Sequence, residues 1–421
     1  MMVSTALVPS LATAAWLFDG PAARVLAVLD RDGEEARVVG GAVRNALLGL
    51  QPGDIDIATT ALPDEVMRRA RAAGLKPVPT GIDHGTVTVV TDGVGIEVTT
   101  LRQDVETFGR RAVVSFGRDW EADARRRDFT INAFSADRSG HVHDPIGGFD
   151  DLRQRKVRFI GDPARRIKED YLRILRFFRF HAGYGAGRPD PDGLVACLRE
   201  RAGLGRLSRE RVRLELLKLF RADGAAATLA VMAETGLIQS VLGGIAAPAA
   251  FARLAAIEAA CGLSPDPVRR LAVLAVRIKE DADRLHDRLR LANGETRRLH
   301  VIAAHHRQVE RLSGAEARTL LYRLGADDYR DVVLAAFALS GAAADATDWA
   351  ERLDLPAHWV PPRFPVKAAD LIARGLAPGP ALGQALARGE AAWIAAGFPL
   401  TPEAIARIVS GALEPADPAG R

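Results

Sequence analysis

The chain has 421 residues, of which 48% are hydrophobic and 26% are charged, and its formal net charge is +4. This composition argues against a disordered or fibrous protein and predicts a soluble globular protein long enough for two or more domains. No run of about 18 apolar residues free of charge occurs, and the first residues lack the basic segment of a signal peptide. We therefore expect a cytoplasmic protein that does not span a membrane.

Strand signals are concentrated in residues 37–160, and helical periodicity dominates from Asp162 onward. The first region contains short β-branched runs: ARVVG, DIDIAT, GTVTVVT, GIEVTTL and VRFIGD, with TDGVG as a hairpin turn. Later segments such as RRIKEDYLRILRFFRFHAGYG repeat apolar residues at three- and four-residue spacing. The pattern predicts a mixed α/β head followed by a helical remainder, with a proline-rich break near residues 354–367.

A glycine pair, Gly40-Gly41, follows the first predicted strand and precedes a helix expected to begin near Ala42. Glycines at this position would let a triphosphate approach the backbone N–H groups at the positive end of the helix. Arg44 would add a positive charge in the first turn. A simple structural turn explains most such pairs, and neither a P-loop nor a dinucleotide-binding fingerprint is present.

Two aspartates, Asp54 and Asp56, lie one residue apart just beyond this helix. In an extended segment they point to the same face, while Ile55 and Ile57 point to the core. Carboxylates held so close repel each other unless a cation lies between them, and Mg²⁺ prefers oxygen ligands. A polar loop with an Asx turn is the alternative. Glu97 is a candidate third carboxylate, or equally an exposed strand position.

The segments GGAVRNALLG and DIDIATT together resemble the first signature of the class II nucleotidyltransferases, which include bacterial tRNA CCA-adding enzymes and poly(A) polymerases. Four further segments resemble later family motifs in the same order: RRDFTINAF (residues 126–134), the hinge DPIGGFDDL (144–152), the nucleotide-selecting EDYLR (169–173) and the last neck motif RLSRERVRLELLKL (206–219). Five ordered motifs across the first half of the chain are far more specific than one pattern.

The resemblance implies an α+β protein with a polymerase-β-like palm. The implied domains are a nucleotidyltransferase head (1–155), a helical neck (156–225), a helical body (226–353) and a helical tail that binds tRNA (354–421). The implied reaction is template-independent addition of CCA to tRNA 3′ ends from ATP and CTP, with release of pyrophosphate. Two Mg²⁺ ions would be held by Asp54 and Asp56, with Glu97 as the third candidate ligand.

The same resemblance assigns roles around the nucleotide. Asp128 would accept a hydrogen bond from the ribose 2′-hydroxyl, and Arg127 would face the triphosphate. Asp170 would accept from the exocyclic amine of cytosine or adenine while Arg173 donates to the neighbouring ring acceptor, with Glu169 holding the guanidinium. Asp170 and Arg173 are expected on one helix, where residues three apart lie on the same face, so both would face the same base. The alternatives are a solvated basic turn for RRRD and an ordinary intrahelical ion pair for EDYLR.

Several functional alternatives share this scaffold. A poly(A) polymerase and an enzyme that adds only CC or only A carry the same motifs, although the short, non-basic carboxyl terminus favours a tRNA substrate. An idle RNA-binding protein would have no use for paired metal ligands. A His-Asp phosphohydrolase needs more ligands than His143-Asp144 and His286-Asp287 supply.

Other features receive structural interpretations. Cys197 and Cys261 are expected to be small core residues rather than disulfide or metal partners. Residues 101–124 match the position of a flexible loop in the family, with a plain surface loop as the alternative. Residues 369–386 resemble a tail segment in which a Pro-Gly-Pro turn would contact an RNA phosphate, or would simply connect two helices.

Overall fold

The computed structural model describes residues 10–108, 111–343 and 345–414, which form two compact units. Unit 1 comprises Met1–Pro248 with Asp287–Leu291, and unit 2 comprises Ala249–His286 with Ala292–Arg421. Within the described residues, no helix has both the length and the apolar composition needed to cross a membrane. The finer division into head, neck, body and tail remains a prediction.

Unit 1 contains a mixed seven-stranded sheet and a separate two-stranded ribbon. The strands are β1 Ala36–Val39, β2 Asp56–Thr59, β3 Lys76–Gly81, β4 Thr86–Thr91, β5 Val94–Thr100, β6 Arg102–Phe108, β7 Arg111–Phe116, β8 Ser135–Ala136 and β9 Val142–His143. The order in the large sheet is β3-β4-β5-β2-β1-β8-β9. Strands β4 and β5 are joined by the predicted hairpin turn, in which both Asp92 and Gly93 have positive φ.

The register of this sheet determines where its acidic residues lie. Asp56 on β2 pairs with Val39 on β1 and, on the other side, with Glu97 on β5. Directly paired residues point to the same face of a sheet. In β5 the buried Ile96 and Val98 alternate with the exposed Glu97, so packing against the core forces that glutamate to the opposite face.

Two of the predicted elements differ in the structure. The VRFIGD run forms no strand; its Phe159 makes an isolated bridge to Phe129 and its apolar residues pack into the core. Residues 101–124, interpreted as a loop, contain the β6–β7 ribbon and most of a helix that begins at Trp120. Alternating β-branched and charged residues are typical of a two-stranded ribbon. The high charge content of the segment made this two-residue alternation hard to recognise in the sequence.

The rest of unit 1 is mainly helical. They are α1 Ala15–Phe18, α2 Pro21–Leu29, α3 Gly41–Leu47, α4 Pro63–Ala72, α5 Trp120–Arg125, α6 Gly148–Arg153, α7 Pro163–Glu169, α8 Leu172–Tyr184, α9 Pro191–Arg199, α10 Arg209–Arg221, α11 Ala225–Glu234 and α12 Leu237–Leu242. Short 3-10 turns occur at Ile82–His84, Thr130–Asn132 and Arg201–Arg206. Helix α8 packs extensively against α10, which places their facing side chains next to the sheet residues described below.

The remaining helices belong mainly to unit 2. They are α13 Pro248–Ala260, α14 Pro267–Ala275, α15 Lys279–Leu289, α16 Asn293–His305, α17 Gly314–Leu324, α18 Ala326–Ser340, α19 Thr347–His358, α20 Ala368–Ile372, α21 Pro380–Ala395 and α22 Pro402–Leu413, with a 3-10 turn at Val309–Arg311. The predicted break begins at Trp359, because Pro356 lies inside α19. The turn before Pro380 connects two helices, as one alternative predicted.

The two cysteines have different environments. Cys197 is buried in α9, as expected. Cys261 is exposed, so the expectation of a core residue was wrong: it follows the last residue of α13, where the chain turns into solvent.

Candidate active site

Three carboxylates cluster on the exposed face of the sheet in unit 1. Asp56 begins β2, Glu97 is its partner on β5, and Asp54 precedes Asp56 by two residues. All three are exposed, whereas Ile57 is buried and Ile55 is half-buried. Although Asp56 keeps an exposed part, partial desolvation of its carboxyl raises its pKa, and the neighbouring charges of Glu97 and Asp54 raise it further, while Arg127 opposes them. A group of anions that destabilise one another is a place where a cation would be stabilised.

The donor set of this cluster fits a hard divalent cation. Among the described residues, none donates a hydrogen bond to Asp54, Asp56 or Glu97, so their oxygens are free to act as ligands. Carboxylate oxygens are the ligands that Mg²⁺ takes, usually only one or two of them together with substrate phosphates. Among the described residues, no group of three or more His, Cys, Asp or Glu side chains is placed to hold a metal ion, so the protein side chains alone do not complete a metal site.

Gly40 joins β1 to α3 in a conformation that favours glycine, with φ of +70°. A Cβ built there would lie 3.0 Å from Nη1 of Arg127. The backbone of the β1–α3 junction therefore lies directly against this arginine, and helix α3 begins at Gly41 as predicted.

Arg44 on α3 is buried, and its guanidinium is already engaged. It donates to the side chain of Asn132, to Asn45 and, at 2.6 Å, to the hydroxyl of Tyr184, and it lies 3.8 Å from the centroid of the Tyr184 ring. Burial lowers its pKa. The contact with a triphosphate remains a prediction. In this structure the Arg44 side chain lines a cavity that is described below.

Asp128 is buried, and several donors surround its carboxylate. Oδ1 accepts from the backbone N–H of Phe129 and from Asn132, each at 2.9 Å, and Oδ2 accepts from Nε of Arg176 at 2.7 Å. Burial alone would raise the pKa of Asp128, but the charge of Arg176 and these hydrogen bonds outweigh it and the pKa is lowered. The side chain is thus a fixed anion.

The EDYLR segment does not form one continuous helix. Glu169 is the last residue of α7, Asp170 is extended with φ of −153°, and α8 begins at Leu172. The expectation that Asp170 and Arg173 share one helix was therefore wrong: the Asp170 carboxylate instead caps α8, accepting from the N–H of Leu172 at 3.1 Å. Capping competes with helix continuation, a common property of aspartate.

Arg173 is held as its motif predicted. Its Nη1 donates to Glu169 at 2.5 Å and to the carbonyl oxygen of Arg166 at 2.7 Å. Arg166 in turn donates to the carbonyl oxygens of Arg126 and Arg127. Arg173 is therefore connected through Arg166 to the segment that carries Asp128.

A single cavity of about 490 Å³ collects most of these groups. It is lined by residues from every predicted motif except the hinge: Gly40, Gly41, Arg44, Asp56, Arg127, Asp128, Asn132, Asp170, Leu172, Arg173, Arg176, Arg179, Phe180 and Arg211. Glu169 lies behind Arg173, and Asp54 and Glu97 lie outside this lining. With six arginines against three aspartates, the cavity favours a polyanion.

Sequence reasoning missed several lining residues, notably Arg176, Arg179 and Phe180. All three follow Arg173 on α8 at helical spacing, and the guanidiniums of Arg176 and Arg179 lie 5.2 and 4.3 Å from the Phe180 ring centroid. The three- and four-residue spacing from Arg173 was a usable signal. Arg211, on α10, is far from this helix in sequence, and nothing local indicated its position.

Comparison with known proteins agrees with this arrangement. Residues 36–158 match the family model described as "Poly A polymerase head domain", and residues 189–247 match "Probable RNA and SrmB- binding site of polymerase A". The chain is 40% identical over 265 residues to the mitochondrial CCA tRNA nucleotidyltransferase 1 of Danio rerio, covering 62% of this chain and 61% of that protein. The amino-terminal region of the chain is therefore similar to the head domain of this family, and about three fifths of the chain is similar to a tRNA nucleotidyltransferase.

Further relatives include the CCA-adding enzyme of Geobacillus thermodenitrificans, 42% identical over 234 residues and matched over 55% of this chain and 56% of that one. The chain thus matches roughly three fifths of the length of these curated relatives. The solved Bacillus stearothermophilus CCA-adding enzyme in complex with CTP is 28% identical, with a TM-score of 0.71 over 92% of this chain and 96% of that chain.

The fold also resembles that of the Thermotoga maritima CCA-adding enzyme complexed with tRNA. This match has a TM-score of 0.66 over 96% of this chain and 98% of that chain, at 19% identity. The chain therefore has the α+β fold predicted for it, with a sheet-containing head and many helices.

Proposed function

We propose that this protein adds C, C and A to the 3′ end of tRNA, using CTP and ATP as substrates. One observation carries the proposal: Asp56, Asp128, Asp170 and Arg173, from three separate motifs, line the same cationic cavity. The curated relatives named as CCA-adding enzymes support the choice of reaction.

In the proposed reaction the 3′-hydroxyl oxygen of the RNA forms a bond to the α-phosphorus of the nucleoside triphosphate, and the bond from that phosphorus to the departing pyrophosphate breaks. Asp54 and Asp56 would hold Mg²⁺, with Glu97 as a further ligand, because these carboxylates are exposed and their oxygens are free. When bound, such ions lower the pKa of the attacking hydroxyl and neutralise charge on the leaving group.

Selection of the nucleotide would rest on fixed donors and acceptors. Asp170 would accept from the exocyclic amine of cytosine or adenine, and Arg173, fixed by Glu169, would donate to the adjacent ring acceptor. Uracil and guanine place a carbonyl where the amine should be, which sets one acceptor against another at Asp170 and costs about 1–3 kcal/mol. Asp128 would accept from the ribose 2′-hydroxyl, and Arg127 would face the triphosphate.

The test uses transcripts of one tRNA that end before CCA, after C or after CC. Each is incubated with the protein and Mg²⁺, with each nucleoside triphosphate given singly and together, and the 3′ ends are sequenced. Addition of two Cs and one A, followed by a stop, is the expected result. A long A tail would identify a poly(A) polymerase, addition of only CC or only A a partial enzyme, and no extension of any RNA an idle scaffold.

We also propose a cytoplasmic location for the protein, while the curated relatives include mitochondrial forms. Fractionation with an epitope-tagged chain tests this placement.

A further inference from the structure

Helix α10 carries the last neck motif, and two of its side chains contact residues that line the cavity of about 490 Å³. Arg211 and Glu215 are four residues apart and therefore lie on one face of the helix. They carry opposite charges, and each contacts a different part of the cavity. The proposed reaction leaves both residues without a role.

Arg211 contacts the base-selecting aspartate. Its Nη2 donates to Oδ2 of Asp170 at 2.6 Å, while Oδ1 of Asp170 accepts from the N–H of Leu172. Each carboxylate oxygen can accept two hydrogen bonds, so both oxygens keep a position for the amine of a base. Asp170 is extended and lies between two helices, so α8 alone holds only one of its oxygens.

Glu215 contacts the ribose side of the cavity through two arginines. Its carboxylate accepts from Nε of Arg179 at 2.5 Å, and Oε1 lies 3.8 Å from Nη1 of Arg176. Arg176 donates to Asp128 through Nε at 2.7 Å and has Nη2 2.6 Å from the same oxygen. Glu215 and Asp128 are both buried, so Arg176 lies between two anions and its orientation is fixed by both.

We propose that α10 positions both selecting carboxylates: Arg211 orients Asp170 for recognition of the base, and Glu215, through Arg176, orients Asp128 for recognition of the ribose. Arg211 and Glu215 are positioning residues and touch no substrate in this account. The inference rests on the proposed function for the meaning of selection, but its contacts are independent of the identity of the RNA.

The test separates the two kinds of discrimination by equilibrium binding as well as by turnover. Affinities of CTP against UTP and of ATP against dATP are measured for R211A, R211K and E215Q. R211A should lower the preference for CTP over UTP by about tenfold, the effect of losing roughly 1.4 kcal/mol from a charge-assisted contact, and leave the ATP to dATP ratio unchanged. E215Q should lower the preference for ATP over dATP and leave the CTP to UTP ratio unchanged. R211K, which keeps the positive charge but loses the planar guanidinium, should retain an intermediate base preference.

Controls distinguish positioning from folding. R221A changes an exposed arginine at the end of the same helix and should leave both ratios unchanged. In the double variant of Asp170 and Arg211, both changed to Ala, the loss of base preference should not exceed that of D170A, because both residues act through one contact.

An equal loss of affinity for all nucleotides in R211A, or unchanged ratios in R211A and E215Q, would overturn the inference. Its failure and that of the proposed function remain distinguishable: a wild-type protein that binds CTP selectively yet extends no tRNA refutes only the function, whereas correct CCA addition with unchanged ratios in the variants refutes only the role of α10.

Discussion

At the residue scale, the catalytic proposal depends most on the aspartate pair. Asp54 and Asp56 are separated by one residue, and Asp56 has Glu97 beside it on the next strand. The raised pKa of Asp56 reflects burial first and its carboxylate neighbours next. A binding protein gains nothing from this electrostatic cost, whereas a metal-dependent transferase uses it.

Replacing Asp54 with Asn should lower the rate of CCA addition by at least about 100-fold while tRNA binding stays within about twofold. The reason is that the amide keeps the shape of the side chain but removes the charge that stabilises the metal, and metal charge supplies several kcal/mol in such reactions. Single-turnover extension and gel-shift binding measure the two effects. The matched control is Asp83→Asn, an exposed aspartate in the same unit; loss of tRNA binding in Asp54→Asn would contradict the metal role.

Replacing Arg173 with Ala should relax base choice rather than abolish transfer. The guanidinium is fixed by Glu169 and by the carbonyl oxygen of Arg166, so it offers donors in one orientation. Loss of about 1–3 kcal/mol of discrimination corresponds to about 5–150-fold more misincorporation of UTP. Lysine should rescue poorly because it lacks the planar fork. Sequencing of the added nucleotides measures the error; unchanged fidelity in both variants would remove this assignment.

At the element scale, the predicted hinge DPIGGFDDL is closely packed on one side. A Cβ on Gly148 would lie 2.3 Å from the carbonyl oxygen of Thr130, whereas Gly147, with φ of +76°, has nothing within 4 Å. Asp144 caps α6 by accepting from the N–H groups of Gly148 and Phe149, each at 2.8 Å. The two glycines therefore serve different purposes, one for close approach and one for backbone conformation.

Gly148→Ala should destabilise the protein by about 1–3 kcal/mol, because the methyl group has no space and the backbone must shift. Gly147→Asn should cost much less, since asparagine tolerates positive φ. Thermal unfolding of the two variants provides the comparison. Equal melting temperatures would mean that the Thr130 segment moves away freely, and that the contact does not restrict this turn.

Sequence patterns predicted the elements that rely on local rules and failed where distant residues decide. The β-branched runs GTVTVVT and GIEVTTL predicted β4 and β5, and the Asp-Gly pair between them predicted the turn at Asp92-Gly93. The break of the helical run at Asp170, whose extended backbone lets its carboxylate accept from the N–H of Leu172, was hidden inside good helical periodicity. The contact between Arg211 and Asp170 joins residues 41 positions apart. Such pairings come from the packing of α8 on α10, which no local pattern in one sequence contains.

At the scale of the whole molecule, every residue that lines the cavity lies in unit 1. Unit 2 has a buried charge network of its own, in which Glu258 accepts from Nε of Arg269 at 2.9 Å and from Nε of Arg270 at 2.7 Å. Arg269 also pairs with Asp331, and burial raises the pKa of that aspartate even with arginines beside it.

Glu258→Gln removes the anion shared by two buried guanidiniums, and breaking a buried ion pair in this way costs about 3–5 kcal/mol. We expect faster hydrogen exchange in peptides of unit 2, while the affinity for CTP, which depends on unit 1, stays within about twofold. Mass spectrometry of exchanged peptides and calorimetric titration with CTP measure the two effects. Glu280→Gln, an exposed change on α15, controls for loss of one charge. If CTP affinity fell together with the protection of unit 2, nucleotide binding would depend on the integrity of the whole chain rather than on the cavity residues alone.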